Sequence, residues 1–341
     1  MIAADYPPMP ERLAQLTRWL RSDIGLAQVE ITPASSDASF RRYFRIRYDG
    51  QTRIVMDAPP AQEDCRPYIA IARAFYSLGL HVPEILEVNL EQGFLLLSDL
   101  GTRQYLTELN STTAERLYGD ALDALLILQS RCTSQLIELP PYNHALLMRE
   151  MALFRDWFVQ RHLSLQLQPA QSNGLEQIFE MLAHAALEQP KVCVHRDYHS
   201  RNLMVTDINN PGILDFQDAV IGPITYDLVS LLRDCYIAWP PDQVYAWVKA
   251  YRLRLLKAGI LPEDNEMQFL RWFDWMGIQR HLKAIGIFAR LHIRDAKPGY
   301  LKDIPRTLGY VVAVSRRYPE LQALYDLLRE LIVPRLSVLP A

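Results

Sequence analysis

The chain has 341 residues, 50% apolar and 22% charged, enough to bury a sizeable core in one large bilobal domain or two ordinary ones. Its 36 basic and 39 acidic side chains leave a net charge of −3. That balance argues against a nucleic-acid partner, which calls for a basic surplus.

Four dispersed cysteines (Cys65, Cys132, Cys193, Cys235) contain no CxxC pair and predict reduced, mostly buried thiols, with neither a disulfide nor a zinc framework. The opening residues lack the basic-then-apolar pattern of a signal peptide. No apolar run approaches the roughly 20 residues that span a bilayer. The expectation is a cytoplasmic protein with no membrane, nucleic-acid or obligate protein partner.

In chain order, Leu13, Leu16, Trp19 and Leu20 recur at helical spacing and predict an amphipathic helix over 10–25. The period then changes to two. Phe40, Phe44 and Ile46 alternate with Arg41, Tyr43, Arg45 and Arg47, and Asp49-Gly50 marks a tight turn, so 27–57 reads as an antiparallel meander. A helix follows at about 65–79, stopped by Gly79. Two strands, EILEV and GFLLLSDLG, flank a turn at 89–93. From 103 to 190 the pattern is helical, broken near Pro140-Pro141 and around 164–174, and helices return after PGILDF. The expected fold class is α+β: a bilobal, protein-kinase-like arrangement. Residues 1–100 would form a small antiparallel-sheet lobe, with a hinge near 97–101. Residues 101–341 would form a large, mainly helical lobe holding the catalytic loop 195–202 and Asp215.

The chemistry concentrates in VCVHRDYHSRNLMV, 192–205, where polar residues crowd between two apolar strand-like flanks. His195, Asp197 and Asn202 have the spacing His-x-Asp-x-x-x-x-Asn, and a second short strand places Asp215 in LDF 13 residues after Asn202. Phosphoryl transfer needs a carboxylate to orient the attacking hydroxyl and oxygen donors to hold Mg²⁺ on nucleotide phosphates. That assigns Asp197 as the base and Asn202 and Asp215 as the metal ligands. His195 reads as a hydrogen-bonding residue of the loop itself.

These motifs, with Gly222-Pro223 and Tyr226-Asp227-Leu228 after them, resemble the aminoglycoside-phosphotransferase-like (choline-kinase-like) small-molecule kinases. The resemblance covers essentially the whole chain and is most specific over 192–234. It implies ATP and Mg²⁺ as co-substrate and cofactor, and a structural part for Asp227. SSDASFRRYFRI, VMDAPP, GFLLLSDLG, LFRDWFV and QRHLKAIGIFARL are more narrowly similar to bacterial anomeric sugar kinases of cell-wall recycling. That similarity implies phosphorylation of N-acetylmuramate and N-acetylglucosamine at the C1 hydroxyl.

On the nucleotide side, the glycine-free loop with Ser35, Ser36, Asp37, Ala38 and Ser39 lies where a kinase covers the phosphates. Its backbone N–H groups and hydroxyls can cradle them. Leu97, Ser98, Asp99 and Leu100 are placed to offer backbone groups to adenine. Met56 stands where the kinase pattern has its phosphate-binding lysine. Arg42 and Arg45 on the preceding strand are the substitutes expected from the sequence.

For the acceptor, the candidates are His199 and Arg201 in the loop, Glu150 and Arg155 in MREMALFRDWF, and Arg280 and His281 in QRHLK, with Arg149 and Lys283 beside them. Both helical segments also read as plain amphipathic faces. The basic character of this set favours a neutral or anionic acceptor over a polycationic aminoglycoside or an amino alcohol. The missing lysine leaves a nucleotide-binding pseudokinase as the alternative outside the enzymes.

Overall fold

The computed structural model describes residues 9–36, 40–262 and 265–336. The chain divides into two units, one made of Met1–Arg103 with Met204–Gln217 and the other of Gln104–Leu203 with Asp218–Ala341.

The first unit opens with helix α1 (Met9–Arg18), which widens into a π-type segment at Trp19–Asp23. Strands β1 (Glu30–Ser36), β2 (Arg42–Tyr48) and β3 (Gln51–Asp57) follow, then helix α2 (Cys65–Ser77) and strands β4 (Ile85–Asn89) and β5 (Phe94–Ser98). They form one antiparallel sheet in the order β1-β2-β3-β5-β4. Asp49 and Gly50 have φ of 47° and 71° between the partners Tyr48 and Gln51. Positive φ at both positions is the two-residue turn that matches strand twist, which is why Asp-Gly stands there.

Side chains alternate across the sheet, so the two faces have different work. Phe44, Ile46, Val55, Phe94 and Leu96 pack on Leu16, Trp19 and Leu20 in one buried cluster. Fully burying side chains of this kind stabilises by about 1.5–3 kcal/mol each. The register pairs Tyr43 with Met56 and Arg45 with Ile54, which puts those four on the opposite face.

The segment Met204–Gln217 groups with this unit, whereas the sequence expectation put Asp215 with the helical residues. Physical causes are visible on both sides of it. Val205 donates to the Arg103 carbonyl and Ile213 to the His81 carbonyl, each at 2.7 Å. The Phe216 ring lies 4.9 Å from Tyr68 and 5.8 Å from Phe75 on α2.

The second unit is mainly helical: α3 (Tyr105–Glu108), α4 (Ala114–Arg131), α5 (His144–Leu153) running into a π-type segment at Phe154–His162, and α6 (Pro169–Leu187). In chain order after α6 come β6 (Lys191–Val194), the short strands β7 (Leu203–Met204) and β8 (Gly212–Ile213), of which Met204 and β8 belong to the first unit, and β9 (Val220–Pro223). Of these, β6 and β9 form an antiparallel pair. Helices α7 (Tyr226–Leu232), α8 (Pro241–Lys257), α9 (Glu266–Asp295), α10 (Ile304–Ser315), α11 (Gln322–Leu327) and α12 (Val333–Leu336) complete it.

Helix α9 is 30 residues long and starts at Asn265, whose side chain accepts from the Gln268 N–H. It crosses the end of α5 at Gly286, where a Cβ would meet the Leu153 carbonyl carbon at 2.3 Å. All four cysteines are free and buried. Among the described residues, no helix is long and apolar enough to cross a membrane.

Candidate active site

The 195–202 loop leaves β6 at Val194, opposite Val220 of β9, and is pinned from several sides. The Asp227 carboxylate, in the first turn of α7, accepts the backbone N–H of His195 at 2.6 Å and of Arg196 at 3.0 Å. Arg196 has φ of +76°, a left-handed turn that costs a non-glycine residue energy and persists where contacts enforce it. Burial pushes the Asp227 carboxyl up to about 7, against the two N–H bonds that favour its charged form. Asp234 holds the far side, accepting from the Ser200 and Tyr236 N–H groups at 2.9 Å each. Tyr198 donates to the Ala121 carbonyl at 2.7 Å. Asp227 thus has the structural part implied for it, and Asp234 was not singled out by the sequence reading. Its only signal was an acid shortly after the YDL motif.

Inside the loop, the Asp197 N–H donates to His195 Nδ1 at 3.2 Å. That bond places the imidazole proton on Nε2 and gives His195 the loop-forming part expected of it. The Asn202 amide nitrogen donates to the Asp197 carbonyl at 3.0 Å. This uses its donor within the loop, and its oxygen is the atom suited to a hard cation.

Asp197 is partly exposed, while His195 is buried. Burial works to raise the Asp197 carboxyl, but Lys283, His199, His195 and Arg280 outweigh it and hold the group below the usual carboxylate range. The side chain is therefore ionised at neutral pH, as a hydroxyl-orienting base must be.

A buried hub stands beside it. Glu150 on α5 accepts from Arg196 Nη2 at 2.5 Å, Lys283 Nζ at 3.0 Å and the Tyr142 hydroxyl. Lys283 also donates to the Tyr226 hydroxyl at 2.9 Å. Burial opposes ionisation of Glu150, and Lys283, Arg196 and Tyr142 overcome it. Glu150 was expected to touch the acceptor. At 5% exposed, with its oxygens taken by these partners, it positions Arg196 and Lys283 instead.

Two further acceptor candidates are likewise engaged by the chain itself. Arg155 is held by Asp156 and by Glu176 on α6. His281 is 1% exposed, bonds the Arg233 carbonyl at 2.8 Å and lies 4.9 Å from the Tyr310 ring. Burial drives its imidazole down to about 3, so it stays neutral. The QRHLK segment is an interior helix face, not a solvated one, with Gln279, Arg280 and His281 all buried.

The remaining candidates do gather around the loop. His199 meets Tyr236 edge-on at 5.3 Å, and burial lowers its pKa. The Arg201 guanidinium lies 3.6 Å from the Tyr236 ring centroid and 5.6 Å from that of Tyr300, with Asp303 at 3.9 Å. Arg280 is buried, meets Cys235 Sγ at 3.6 Å, and its Nε has no hydrogen-bond partner among the described residues. A buried cation with unmet donors suits an anionic ligand group.

The nucleotide-side candidates lie in the first unit. Asp37, Ala38 and Ser39 fall outside the described residues. Ser35 and Ser36 end β1, paired with Tyr43 and Arg42 beyond a register shift at Pro33/Ser35. Leu97 pairs with Ile54 and Ile85, and Leu100 is buried. Ser98 donates its N–H to the Glu84 carbonyl and accepts the Glu84 N–H on its hydroxyl, at 2.9 and 2.8 Å. Its backbone N–H is therefore spent within the sheet.

Neither arginine expected to replace the lysine is placed for it. Arg42 is bound to Asp57 on the α1 face, beside Arg12. Arg45 makes a two-nitrogen pair with Asp99, at 2.6 and 2.9 Å, and donates to the Gly101 carbonyl. It braces the 97–101 segment.

Asp215, in the same unit, sits at φ of +63° and accepts from Gln217 Nε2 at 2.7 Å. Asn202 and Asp215 both present oxygen, the donor Mg²⁺ prefers. Among the described residues no group of three His, Cys, Asp or Glu forms a metal cage.

An antiparallel sheet unit, a helical unit and a loop of the HxDxxxxN type followed by a strand-borne Asp define the protein-kinase-like class of fold. Choline kinase LicA from Streptococcus pneumoniae superposes with a TM-score of 0.62 at 11% identity, over 88% of this chain and 99% of its own. The GDP complex of wild-type aminoglycoside 2'-phosphotransferase-IIIa gives 0.60 at 16%, over 90% and 99%. The model of the phosphotransferase enzyme family (APH) matches residues 30–270, and the chain belongs to that family. Over 331 residues it is 47% identical to the N-acetylmuramate/N-acetylglucosamine kinase of Pseudomonas aeruginosa, covering 94% of this chain and 97% of that one.

Proposed function

We propose that the protein is an ATP- and Mg²⁺-dependent kinase that phosphorylates the anomeric hydroxyl of N-acetylmuramate and N-acetylglucosamine, in the cytoplasm, for peptidoglycan recycling. The observation that carries the chemistry is Asp197: ionised, partly exposed, and fixed in a loop tied down by Asp227 and Asp234. The names of the full-length relatives support the acceptor.

In this reading Asp197 orients the C1 hydroxyl and takes its proton as the bond from the sugar oxygen to the γ-phosphorus of ATP forms and the bond from that phosphorus to the β–γ bridging oxygen breaks, releasing ADP. An anomeric hydroxyl is more acidic than an ordinary alcohol, so a strong base is not required, and positioning and charge neutralisation supply most of the acceleration. Asn202 and Asp215 would hold Mg²⁺, which neutralises phosphate charge when bound. His199, Arg201 and Arg280 would meet the sugar, and Arg280 has the chemistry to take the lactyl carboxylate of N-acetylmuramate. Residues 35–39 and 97–100 would line the nucleotide. The charge argument for the acceptor is narrower than the sequence suggested, because Arg155 and Lys283 are neutralised by carboxylates.

The test is Mg-ATP with a panel of amino sugars, aminoglycosides and choline, following ADP release and locating the phosphate by NMR. A C1 phosphate on the amino sugars is expected; phosphate on a drug or on choline, or no turnover with any acceptor, overturns the reading. Asp197→Asn should lower kcat by about 10²–10⁴-fold, the usual range for a positioned acid–base group, with ATP binding unchanged.

A further inference from the structure

We propose that Arg41, held by Glu63 at the start of β2, is the cation that grips the nucleotide phosphates in place of the missing lysine. The inference rests on the kinase reading and adds to it a residue assignment made by neither the sequence motifs nor the comparisons.

The register decides which arginines can serve. Tyr43 pairs with Met56 and Arg45 with Ile54, and side chains two apart along a strand share a face. Arg41 lies just before β2 begins at Arg42 and pairs with Glu63, two residues ahead of α2. Met56 itself is fully buried and apolar. Arg42 faces the other way, into the buried Asp57 pair with Arg12. Arg45 shares the Met56 face but sits at the 97–101 end, bound to Asp99. Arg41 and Arg45 are four positions apart, about 13 Å of extended chain. That span suits adenine near 97–101 at one end and the polyphosphate at the other.

The Arg41 end is where the acidic chemistry of this unit gathers. Arg41 Nε lies 3.5 Å from Glu63 Oε2, with the two side chains 13% and 20% exposed. Tyr68 on α2 links the pieces: its ring packs at 4.9 Å on Phe216, next to Asp215. Glu63, the partner of Arg41, stands two residues before α2, the helix that carries Tyr68. A cation paired with a carboxylate near the metal-binding Asp is what a lysine at position 56 would supply. A guanidinium carries five donors in a fixed fork, so it can hold a carboxylate and a phosphate together.

The experiment measures binding of ATP, ADP and adenosine by calorimetry to the wild-type chain, Arg41→Met, Arg41→Lys and Arg47→Met, the last an exposed arginine at the far end of β2. Arg41→Met should weaken ATP and ADP by about 10–100-fold, in the range for loss of a charge-assisted contact, and leave adenosine within about twofold. Arg41→Lys should recover at least half of that loss on a logarithmic scale, and Arg47→Met should behave as wild type. Equal loss of adenosine, unchanged ATP and ADP binding, no recovery with lysine, or a loss as large in Arg47→Met would overturn the assignment. Failure of the wild-type chain to bind ATP would instead overturn the kinase reading, and this inference with it.

Discussion

Asp197 owes its charge to neighbours on another helix, and that dependence is measurable. Among the charges that favour its ionised form, Lys283 on α9 is the largest, ahead of His199, His195 and Arg280. Removing a cation makes the carboxylate less favourable, so the pKa of Asp197 must rise. In Lys283→Met the acid limb of the kcat/KM profile should move to higher pH, with the plateau regained once the carboxylate is again ionised. Arg280→Lys keeps the charge and should move it far less. A profile measured from pH 4 to 8 that keeps its acid limb in Lys283→Met would show that Asp197 is held ionised some other way. The sequence marks Asp197, Asn202 and Asp215 by a spacing local to one loop and one strand, and their parts as base and metal ligands belong to the proposed function. The surroundings of Glu150 and His281 stayed hidden for the opposite reason. Nothing in MREMALF or QRHLK says that the first meets Lys283 and Arg196, or that the second turns to the Arg233 carbonyl.

The elements were readable where periodicity and turn chemistry agree. The meander around Asp49-Gly50, the β4–β5 pair and the break at Pro140-Pro141 follow from side-chain alternation and from residues that stop strands and helices. What stayed hidden is how closely two helices approach. Gly286 allows α9 to cross α5 with backbone against backbone: an added Cβ would lie 2.3 Å from the Leu153 carbonyl carbon and 2.5 Å from its oxygen. These are the helices that carry Lys283 and Glu150, whose ion pair is 3.0 Å long. Gly286→Ala must push them apart, an overpacking change that costs about 1–3 kcal/mol. Both the melting temperature and kcat should fall. Gly309→Ala, in α10 with no atom within 4 Å of its added Cβ, should leave both near wild type. A Gly286→Ala protein with unchanged melting temperature and kcat would mean that the crossing is looser than 2.3 Å implies.

At the scale of the whole molecule, the chain returns to its first unit after the catalytic loop. The sequence reading drew one boundary near 100, because composition changes from strand to helix there and changes back only for a few residues around PGILDF. The structure adds Met204–Gln217 to the first unit, through the 2.7 Å bonds from Val205 to Arg103 and from Ile213 to His81 and the packing of Phe216 on Tyr68 and Phe75. A fragment ending at 103 would lack that segment, leaving α2 without its aromatic partner and the His81 carbonyl without its donor. Exposing a buried Phe-sized contact costs about 3–5 kcal/mol, a large share of a small domain's stability. A 1–103 fragment should therefore show no cooperative thermal transition. The Arg103–Val205 bond brings the two chain ends together, so a glycine-rich linker of a few residues between 103 and 204 should restore one. Circular dichroism melts of the two fragments decide it: equal cooperative transitions would mean that Met204–Gln217 contributes nothing to the stability of the first unit.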